Sequence, residues 1–512
     1  MTLRTAASTQ SGGYPTPYAA IRGPGRLVST YLFDTLAFPD VTGQPKPWLA
    51  KSWQSSPDGK TWTFQLRDNA KFHDGTPLTS DDVLFTFDYN TKGPGAQAGA
   101  AQGVDYLESV TAPDPLTVVI TLKNARPSFL NDIAGTFGFA IMPKHIWSGV
   151  TDPAKFQGAT ALVGSGPYKL ENFDLTTNSF NFVANEEFYL GPANVRQLQI
   201  VPVADALLAL ERGEVDAASA GNSLIPKVQY EALSKRYKVL TAPGEFNLAL
   251  FFNAGKGFPY NEVAFRQGVA YGLDRKDMVQ RLLDGRGVPG PAGALGPGNE
   301  FLNKSLPEYP LDKQKAAELF DKVNLRDRNN DGVRDKPDGT PFKIPLSVSS
   351  SDVQQAQLVQ EYLRAVGLDV EISAVDQQTS DARGSKGDYE MAIQHYGGLS
   401  ADPSSLITTF SANTKSTSFT RVHGYDNPMF EKVAREQAST VDVAKRRELI
   451  NQMQAILAED LPRISLYVPE QVSFVDEKKF GGFAYTPGCP PCGVTGNKRH
   501  MVAGNAAPAP AN

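Results

Sequence analysis

The sequence predicts an α/β protein built from several domains, and three observations carry this prediction. The stretch "TWTFQL" follows a Pro-Asp-Gly turn and alternates Trp62, Phe64 and Leu66 on one face, which is the period-two pattern of a strand. The stretch "LVQEYLRAVGLDVEIS" has helical spacing, stops at Gly367 and continues as a strand. Helices that lead into strands at short intervals indicate an α/β fold with parallel strand pairs. A length of 512 residues favours about three domains.

Further elements follow from the same rules. "TLRTAA" and "LTVVITL" are typical of strands, and in "TSDDVLFTF" Thr79 and Asp82 have the spacing of a capping box that begins a helix. Asp312 is placed to cap the helix "KQKAAELFDKV". A later apolar helical stripe ends at Pro462, after which "RISLYV" predicts a strand. In that strand, the side chains predicted to face one way are Ile464, Leu466 and Val468.

Composition and motifs argue against several function classes. The net charge is −5, which disfavours nucleic acid or an anionic membrane as the main partner. No run of about 18 apolar residues occurs, so no transmembrane helix is predicted. We find no phosphate-binding loop and no nucleophile elbow. No two of the five histidines are three or four residues apart, and the sequence therefore predicts a protein that is not an enzyme.

The two cysteines, Cys489 and Cys492, lie in the stretch "TPGCPPCGVTG". A redox CxxC pair usually begins a helix, whose dipole lowers the pKa of the thiol. No helical pattern follows this stretch, which favours a local disulfide in an exported protein. A metal site or a redox role stays open from the residues alone, although only His500 is close in sequence as a further ligand.

The stretch "DRNNDGVRDKPD" has the spacing of a calcium-binding loop. A calcium sensor is disfavoured because a strand-like segment follows the loop and position 12 is an aspartate instead of a glutamate. Two interpretations remain, a solvated hairpin loop without an ion and a structural calcium site. The predicted ligands are Asp327, Asn329, Asp331, the Val333 carbonyl, Asp335 and Asp338.

Six stretches, in order, resemble one protein family. The first runs from Tyr31 to Tyr89 and contains "LAKSWQSSPDGKTWTFQLRDNAKFHDGTPLTSDDV". The others are "VGSGPYKL", "LERGEVDAA", "FRQGVAYGLDRKDMV", "LRAVGLDVEIS" and "LPRISLYVP". Together they span residues 27–472 and resemble the peptide/nickel-type family of extracytoplasmic solute-binding proteins of ABC importers (family 5).

The resemblance implies a two-lobed periplasmic-binding-protein (type II) fold with an extra domain inserted in the first lobe. The first lobe is expected at residues 1–40, 161–245 and 464–512, the inserted domain at 41–160, and the second lobe at 246–463. The C-terminal tail "AGNAAPAPAN" has no core-forming residues and is predicted to be disordered.

The resemblance also implies how such a protein works. The lobes close on a solute by hinge motion, and the closed complex docks on a membrane permease. Members are exported and usually lipid-anchored, so a leader and a lipidated cysteine are expected to have been removed from this sequence. The resemblance supports the disulfide between Cys489 and Cys492, a monomeric state, and a function that needs no cofactor.

The class of solute is less well determined. Peptide-binding members hold the peptide's α-amino group with an aspartate in a segment resembling "HYGGLSADP", and that position falls on Leu399 here. A peptide or similar small oligomer is the first expectation, and an oligosaccharide or opine-like conjugate is the alternative. A hydrolase is disfavoured because no nucleophile motif occurs. The expected ligand-binding residues are Gln10, Tyr14 and Tyr18 after the first strand, and His395, Tyr396, Gly397, Asp402, Arg421 and His423 in the second lobe.

Overall fold

The structure is a computed structural model. It describes residues 1–7, 9, 12–20, 22–40, 43–97, 106–134, 138–219, 225–242, 244–397, 402–414, 416, 418–483 and 498–503. The chain divides into two compact units, the first of Met1–Ala242 and Gln471–Asn512, the second of Pro243–Glu470. The expected division of the first unit into a lobe and an inserted domain stays a prediction.

The elements alternate along the chain as the sequence predicts. The strands are β1 Thr2–Ala7, β2 Ala37–Pro39, β3 Pro45–Pro47, β4 Ala50–Ser55, β5 Thr61–Leu66, β6 Leu107–Asp114, β7 Thr117–Leu122, β8 Tyr168–Asp174, β9 Ser179–Ala184, β10 Gln197–Pro202, β11 Ala217–Ser219, β12 Lys238–Ala242, β13 Phe246–Phe252, β14 Gly287–Pro289, β15 Lys343–Ser349, β16 Asp369–Val375, β17 Met391–Gly397, β18 Arg463–Pro469 and β19 Gln471–Val475. The helices are α1 Arg22–Leu32, α2 Ser80–Thr91, α3 Pro94–Gln97, α4 Phe129–Ala134, α5 Lys144–Trp147, α6 Ala206–Glu211, α7 Lys227–Ser234, α8 Val263–Gly272, α9 Arg275–Leu283, α10 Lys313–Lys322, α11 Val353–Arg364, α12 Gln377–Lys386, α13 Ser405–Phe410, α14 Pro428–Ser439, α15 Val443–Asp460 and α16 Lys498–Ala503.

In the first unit, the described residues form a seven-stranded sheet in the order β12-β19-β11-β1-β10-β9-β8. β1 pairs in parallel with β10 and β11, and the other neighbours are antiparallel. A separate antiparallel sheet has the order β4-β5-β7-β6. In that sheet Phe64, Val118 and Ile120 are fully buried, which confirms the alternation that the sequence predicts.

In the second unit, the described strands form a six-stranded sheet in the order β14-β18-β13-β17-β15-β16. β15 pairs in parallel with β16 and β17, whereas β13 lies antiparallel to β17 and β18. Alternate residues of β13 face two different apolar clusters, Leu248 and Leu250 on one side and Ala249 and Phe251 on the other. Helices therefore cover both faces of this sheet, as parallel pairing requires.

The local signals of the sequence are confirmed. Thr79 and Asp82 form the capping box of α2, the Asp312 carboxylate accepts from the Lys315 amide at the start of α10, and Gly367 has the positive φ of a helix stop. Every residue of β18 is buried. The prediction that Ile464, Leu466 and Val468 face one way is wrong for Val468, because the pairing of β13 with β18 shifts register between Leu248 and Ala249: Ile464 and Leu466 pack in the cluster of Leu248, and Val468 packs with Tyr396. β18 lies between β13 and β14 and is packed on both faces, so no side of it faces solvent.

Candidate functional site

In open α/β sheets, ligands bind beyond the carboxyl ends of the parallel strands. In the first unit these strands, β1, β10 and β11, end at Ala7, Pro202 and Ser219. The segment with Tyr14 and Tyr18 leaves from this edge, directly after β1. The predicted ligand residue Gln10 lies outside the described residues.

Tyr14 and Tyr18 are both buried in the core of the first unit. The Tyr14 hydroxyl lies 3.0 Å from both the backbone nitrogen and the oxygen of Gly158. The Tyr18 ring packs against Tyr89 and Trp147, with centroid distances of 5.6 and 5.2 Å. Burial raises the pKa of both phenols. The structure thus gives both rings a packing role, and their contact with a solute stays a prediction.

In the second unit, β15, β17 and β18 end at one edge of the sheet, and α11 begins just beyond β15. A carboxylate–imidazole pair lies at this edge, since the Nε2 atom of His395 is 2.9 Å from Oδ1 of Asp352. Asp352 is buried, whereas a third of the His395 side chain is exposed. The partly exposed imidazole with its buried carboxylate is a polar group available at the predicted ligand edge.

Tyr467, on β18, lies near this pair. Its pKa is raised to about 12, mainly by burial and also by the Asp352 carboxylate, whereas the hydrogen bond of Gln355 lowers it. Sequence reasoning missed Asp352, Gln355 and Tyr467. One signal in the sequence could have indicated Asp352, namely the serines and the aspartate at the end of β15. Serine and aspartate are typical helix caps, and a cap directly after a parallel strand lies at the carboxyl edge of the sheet, where ligands bind.

Tyr396 is the next predicted residue along β17. The Arg463 guanidinium lies on its ring face, 3.9 Å from the centroid, and its hydroxyl is 3.2 Å from Oγ1 of Thr409. Gly397, which ends β17, pairs in register with Phe246. Tyr396 therefore separates the carboxyl edge from a buried arginine that sequence reasoning did not single out.

Asp402 is already paired with a cation. Its Oδ1 atom accepts from Nη2 of Arg446 at 2.7 Å and from the Ser404 amide at 2.9 Å. Both side chains of the ion pair are largely buried. A carboxylate that an arginine neutralises in this way has less capacity to hold a second cation.

His423 and Arg421 lie on the segment that follows α13. Nε2 of His423 donates to the Gly384 carbonyl at 2.9 Å, and burial, together with the charge of Arg421, lowers the pKa of His423. The Nε atom of Arg421 is buried and has no hydrogen-bond partner among the described residues. His423 is thus neutral near pH 7 and satisfied by the backbone.

The structure connects part of the predicted set. The Thr409 side chain hydrogen-bonds to the Tyr396 hydroxyl. The Thr409 carbonyl accepts, at 3.0 Å, from the amide of Val422, which is the residue between Arg421 and His423. Asp402 is held separately by α15 through Arg446. Leu399, Cys489 and Cys492 lie outside the described residues, so the amino-group position and the disulfide stay predictions.

Two of the six family-like stretches meet inside the first unit. The His73 amide donates to the Gly164 carbonyl, its Nδ1 atom accepts from the Gly164 amide at 3.2 Å, and its Nε2 atom is 3.0 Å from the Gly166 oxygen. Burial lowers the pKa of His73 to about 4, so the ring is neutral near pH 7. These hydrogen bonds give both stretches a role in the packing of the first unit.

The acidic loop satisfies its carboxylates internally. Asp327 accepts from the amides of Asp331 and Gly332 at 3.2 and 2.9 Å, Asp335 accepts from the Arg328 amide, and Asp338 from Thr340. Among the described residues, which include this whole loop, no group of three or more His, Cys, Asp or Glu side chains is placed to hold a metal ion. The calcium site stays a prediction.

Within the described parts of the chain, none of the helices has the length and apolar character needed to span a bilayer.

Comparison with known proteins gives a consistent picture. The model of the family "Bacterial extracellular solute-binding proteins, family 5 Middle" matches residues 44–418, well over half of the chain. The nickel-binding periplasmic protein of Escherichia coli is 26% identical over 474 residues, covering 90% of this chain and 88% of that protein.

Two solved structures show the same fold. NikZ from Campylobacter jejuni, in complex with Ni(L-His), has a TM-score of 0.81 and 23% identity, covering 98% of this chain and 99% of that one. The oligopeptide-binding protein AppA from Bacillus subtilis, in complex with a nonapeptide, has a TM-score of 0.78 and 22% identity, covering 96% and 98%. These similarities confirm the predicted two-lobed α/β fold, and the chain belongs to the bacterial extracellular solute-binding proteins of family 5.

Proposed function

We propose that the chain is the substrate-binding component of an ABC importer and that it captures a peptide or a similar small oligomer. The observation that carries this proposal is family membership over residues 44–418. It agrees with the geometry, since polar side chains gather at the carboxyl edge of the second sheet and no enzyme motif occurs in the sequence. AppA, which shares the fold, was solved with a nonapeptide, and this supports a peptide ahead of other solutes.

Capture would proceed by hinge closure. The chain passes between the units twice, at Ala242 to Pro243 and at Glu470 to Gln471. A few residues at such crossings are enough to absorb the dihedral changes of a domain closure. The solute would favour the closed state through its higher affinity for it, and the closed complex would then be the form that a membrane permease receives.

The amino terminus of a bound peptide needs a carboxylate partner. Asp402 is engaged by Arg446, so the better candidate is Asp352, which is buried and bonded to His395. We propose His395, Tyr396 and Gly397 as the part of the second unit that lines the solute. Tyr14, Tyr18, Gln10, Arg421 and His423 are kept as further candidates.

The pairing of Asp402 with Arg446 favours one alternative solute class. Because Asp402 is held by Arg446 and Asp352 by His395, an oligosaccharide or an opine-like conjugate would lose less than a peptide with a charged amino terminus. Nickel chelates form a third class, because NikZ was solved with Ni(L-His).

We further propose an extracytoplasmic location with a lipid anchor, a monomeric state, and a structural disulfide between Cys489 and Cys492. A calcium ion in the loop from Asp327 to Asp338 would act as a brace. Calorimetric titration of chelator-treated protein with millimolar calcium should release heat, and a flat titration would contradict the brace.

A binding screen tests the solute class. Short peptides, neutral oligosaccharides and Ni(II) chelates are added separately, and the melting temperature is followed by scanning calorimetry. We expect peptides to raise the melting temperature while neutral oligosaccharides leave it unchanged. A rise with oligosaccharides alone would contradict the peptide proposal, and turnover of a peptide or glycoside substrate above background would contradict a purely binding role.

A further inference from the structure

One face of the second sheet carries an unusual concentration of unsatisfied polar atoms. Among the described residues, Oδ1 of Asn247, Oε1 of Gln394 and all three guanidinium nitrogens of Arg463 are buried without a hydrogen-bond partner. The strand register places these side chains on the same face, since Asn247 is opposite Tyr396, Gln394 is opposite Ala249, and Arg463 is opposite Phe251. Buried polar groups are nearly always paired in folded proteins, so a cluster of this kind calls for a physical reason.

Arg463 is the centre of this cluster. The residue is 3% exposed, and its guanidinium lies among three aromatic rings, 3.9 Å from the Tyr396 centroid, 4.9 Å from Phe410 and 5.6 Å from Phe251. Burial lowers the pKa of Arg463, and the opposing influence comes from the Tyr396 side chain and not from a carboxylate. Ring faces attract a desolvated cation but offer no acceptor for its N–H groups, so they offset only part of the cost of burying an unpaired ion.

Two other buried arginines of the second unit, Arg266 and Arg446, donate to protein oxygens, and Arg275 lacks a partner among the described residues only at Nε. Arg266 donates from Nε to the Asp460 carbonyl at 2.7 Å and from Nη1 to the Tyr260 carbonyl at 2.8 Å. Arg446 pairs with Asp402 at 2.7 Å. Among the buried arginines of the second unit's described residues, Arg463 is the one that has no partner at any of its three guanidinium nitrogens.

The geometry shows which kind of partner is missing. The Tyr396 ring covers one face of the Arg463 guanidinium. A guanidinium donates hydrogen bonds in its own plane, from the edge that carries its N–H groups. A planar oxyanion fits that edge with two parallel bonds. The free oxygens of Asn247 and Gln394 accept hydrogen bonds, so they suit N–H groups beside the anion.

We propose that Arg463, with Asn247 and Gln394, forms a subsite that binds a carboxylate of the captured solute together with an adjacent N–H group. This inference rests on the proposed function and names the chemical class of the solute, a carboxylate-bearing peptide or amino-acid conjugate. Tyr396 forms the wall of the subsite toward the carboxyl edge, so its ring must turn as the carboxylate enters.

The test uses the full chain in three forms, the wild type, Arg463→Met and Arg463→Lys, with Arg266→Met as a matched buried-arginine control. Acetate, succinate, glutamate and the tripeptides Ala-Glu-Ala and Ala-Gln-Ala are the probes, each at the same ionic strength as a sodium chloride reference. We expect carboxylates to raise the melting temperature of the wild type and of Arg266→Met, and to leave Arg463→Met unchanged. Ala-Glu-Ala should bind at least tenfold more tightly than Ala-Gln-Ala, and Arg463→Met should abolish this preference.

A measurement on the wild type, with Arg463→Lys used only to assign one resonance, guards against an Arg463→Met variant that does not fold. In protein labelled with [15N]arginine, acetate or Ala-Glu-Ala should shift one buried Nε–H resonance that is absent from Arg463→Lys. Equal responses of the wild type and Arg463→Met, or no carboxylate-dependent shift, would overturn the subsite and leave the proposed function intact. A carboxylate response through Arg463 without binding of any peptide would instead contradict the peptide proposal and leave the subsite standing.

Discussion

The two units bury a positive charge in opposite ways. In the first unit, the Lys498 ammonium donates to Oδ1 of Asp34 at 2.6 Å and to the carbonyls of Thr30 and Phe33. In the second unit, Arg463 lies among aromatic rings and has no hydrogen-bond partner among the described residues. Both cations are almost fully buried.

The network around Asp34 is closed on all sides. Its carboxylate also accepts from Nε1 of Trp48 at 2.8 Å and from the Tyr189 hydroxyl at 2.9 Å. A buried ion whose hydrogen-bond partners all belong to the protein stabilises the fold, because the ion and its partners hold each other in place. A buried ion without internal partners leaves that role to a group from outside. Lys498 therefore anchors α16 to the first unit, whereas Arg463 is suited to bind a solute.

The largest effect is expected from Asp34→Ala, which would leave Lys498 buried without its counter-ion. We expect the first unit to lose about 4 kcal/mol of unfolding free energy. All four tryptophans, Trp48, Trp53, Trp62 and Trp147, lie in this unit, so urea unfolding followed by tryptophan fluorescence reports on it alone. The control is Glu477→Gln, which removes the exposed ion pair with Lys238 and should cost less than about 1 kcal/mol. Similar losses for the two variants would break the comparison.

Next comes a test of how rigidly the first unit is packed near this network. A Cβ atom at Gly164 would lie 2.0 Å from the Leu32 carbonyl oxygen, one residue before Phe33. Gly164→Ala should therefore lower the unfolding free energy by about 3 kcal/mol, measured by the same fluorescence titration. Gly149→Ala is the matched control, since nothing lies within 4 Å of its added Cβ. If both variants unfold at the same urea concentration, the close packing described for this region is wrong.

The third prediction concerns pH. The folded pKa of His73 is about 4, below the value of roughly 6.5 for an unfolded histidine. As the pH falls below 6.5, the unfolded chain binds a proton that the folded chain does not, so stability is full above pH 6.5 and is lost toward pH 4. The loss is on the order of 3 kcal/mol.

His73→Gln should flatten that part of the pH profile, as seen by tryptophan fluorescence between pH 7 and pH 4.5. His395→Gln, in the second unit, is the control and should leave the tryptophan profile unchanged. A wild-type profile that is already flat would contradict the buried, neutral His73.

The smallest effect is expected at Arg463 itself. Replacing an unpaired buried cation with an apolar side chain of similar length removes a desolvation cost, so Arg463→Met should be as stable as the wild type or about 1 kcal/mol more stable without solute. Scanning calorimetry of the solute-free proteins measures this. Arg266→Met removes two satisfied hydrogen bonds and should melt lower. A loss of several kcal/mol in Arg463→Met would mean that Arg463 is structural, like Lys498.

Local chemistry was predictable from the sequence, and contacts between distant segments were not. The capping box of Thr79 and Asp82, the cap at Asp312 and the stop at Gly367 depend on neighbours within a few residues, and all three were predicted. The pair of Asp352 and His395 joins residues 43 apart, and that of Lys498 and Asp34 joins residues 464 apart. No local pattern specifies such pairs, because the tertiary fold brings them together.

The same limit applies to the candidate site. Tyr396 and His395 were predicted from a resemblance in one segment, and the structure places them beside Asp352 and Arg463, which no motif marked. A lone arginine at the start of "RISLYV" has the pattern of an ordinary strand residue. Its significance depends on its having no hydrogen-bond partner among the described residues, which a sequence pattern does not specify.

The central claim is that this chain captures a solute bearing a carboxylate. Native mass spectrometry of the wild type and Arg463→Met, purified in parallel without added ligand, tests it most directly. We predict that the wild type carries bound mass that fragments as short peptides or amino-acid conjugates with a carboxylate, and that Arg463→Met carries much less of it. A neutral oligosaccharide retained equally by both proteins would contradict the account.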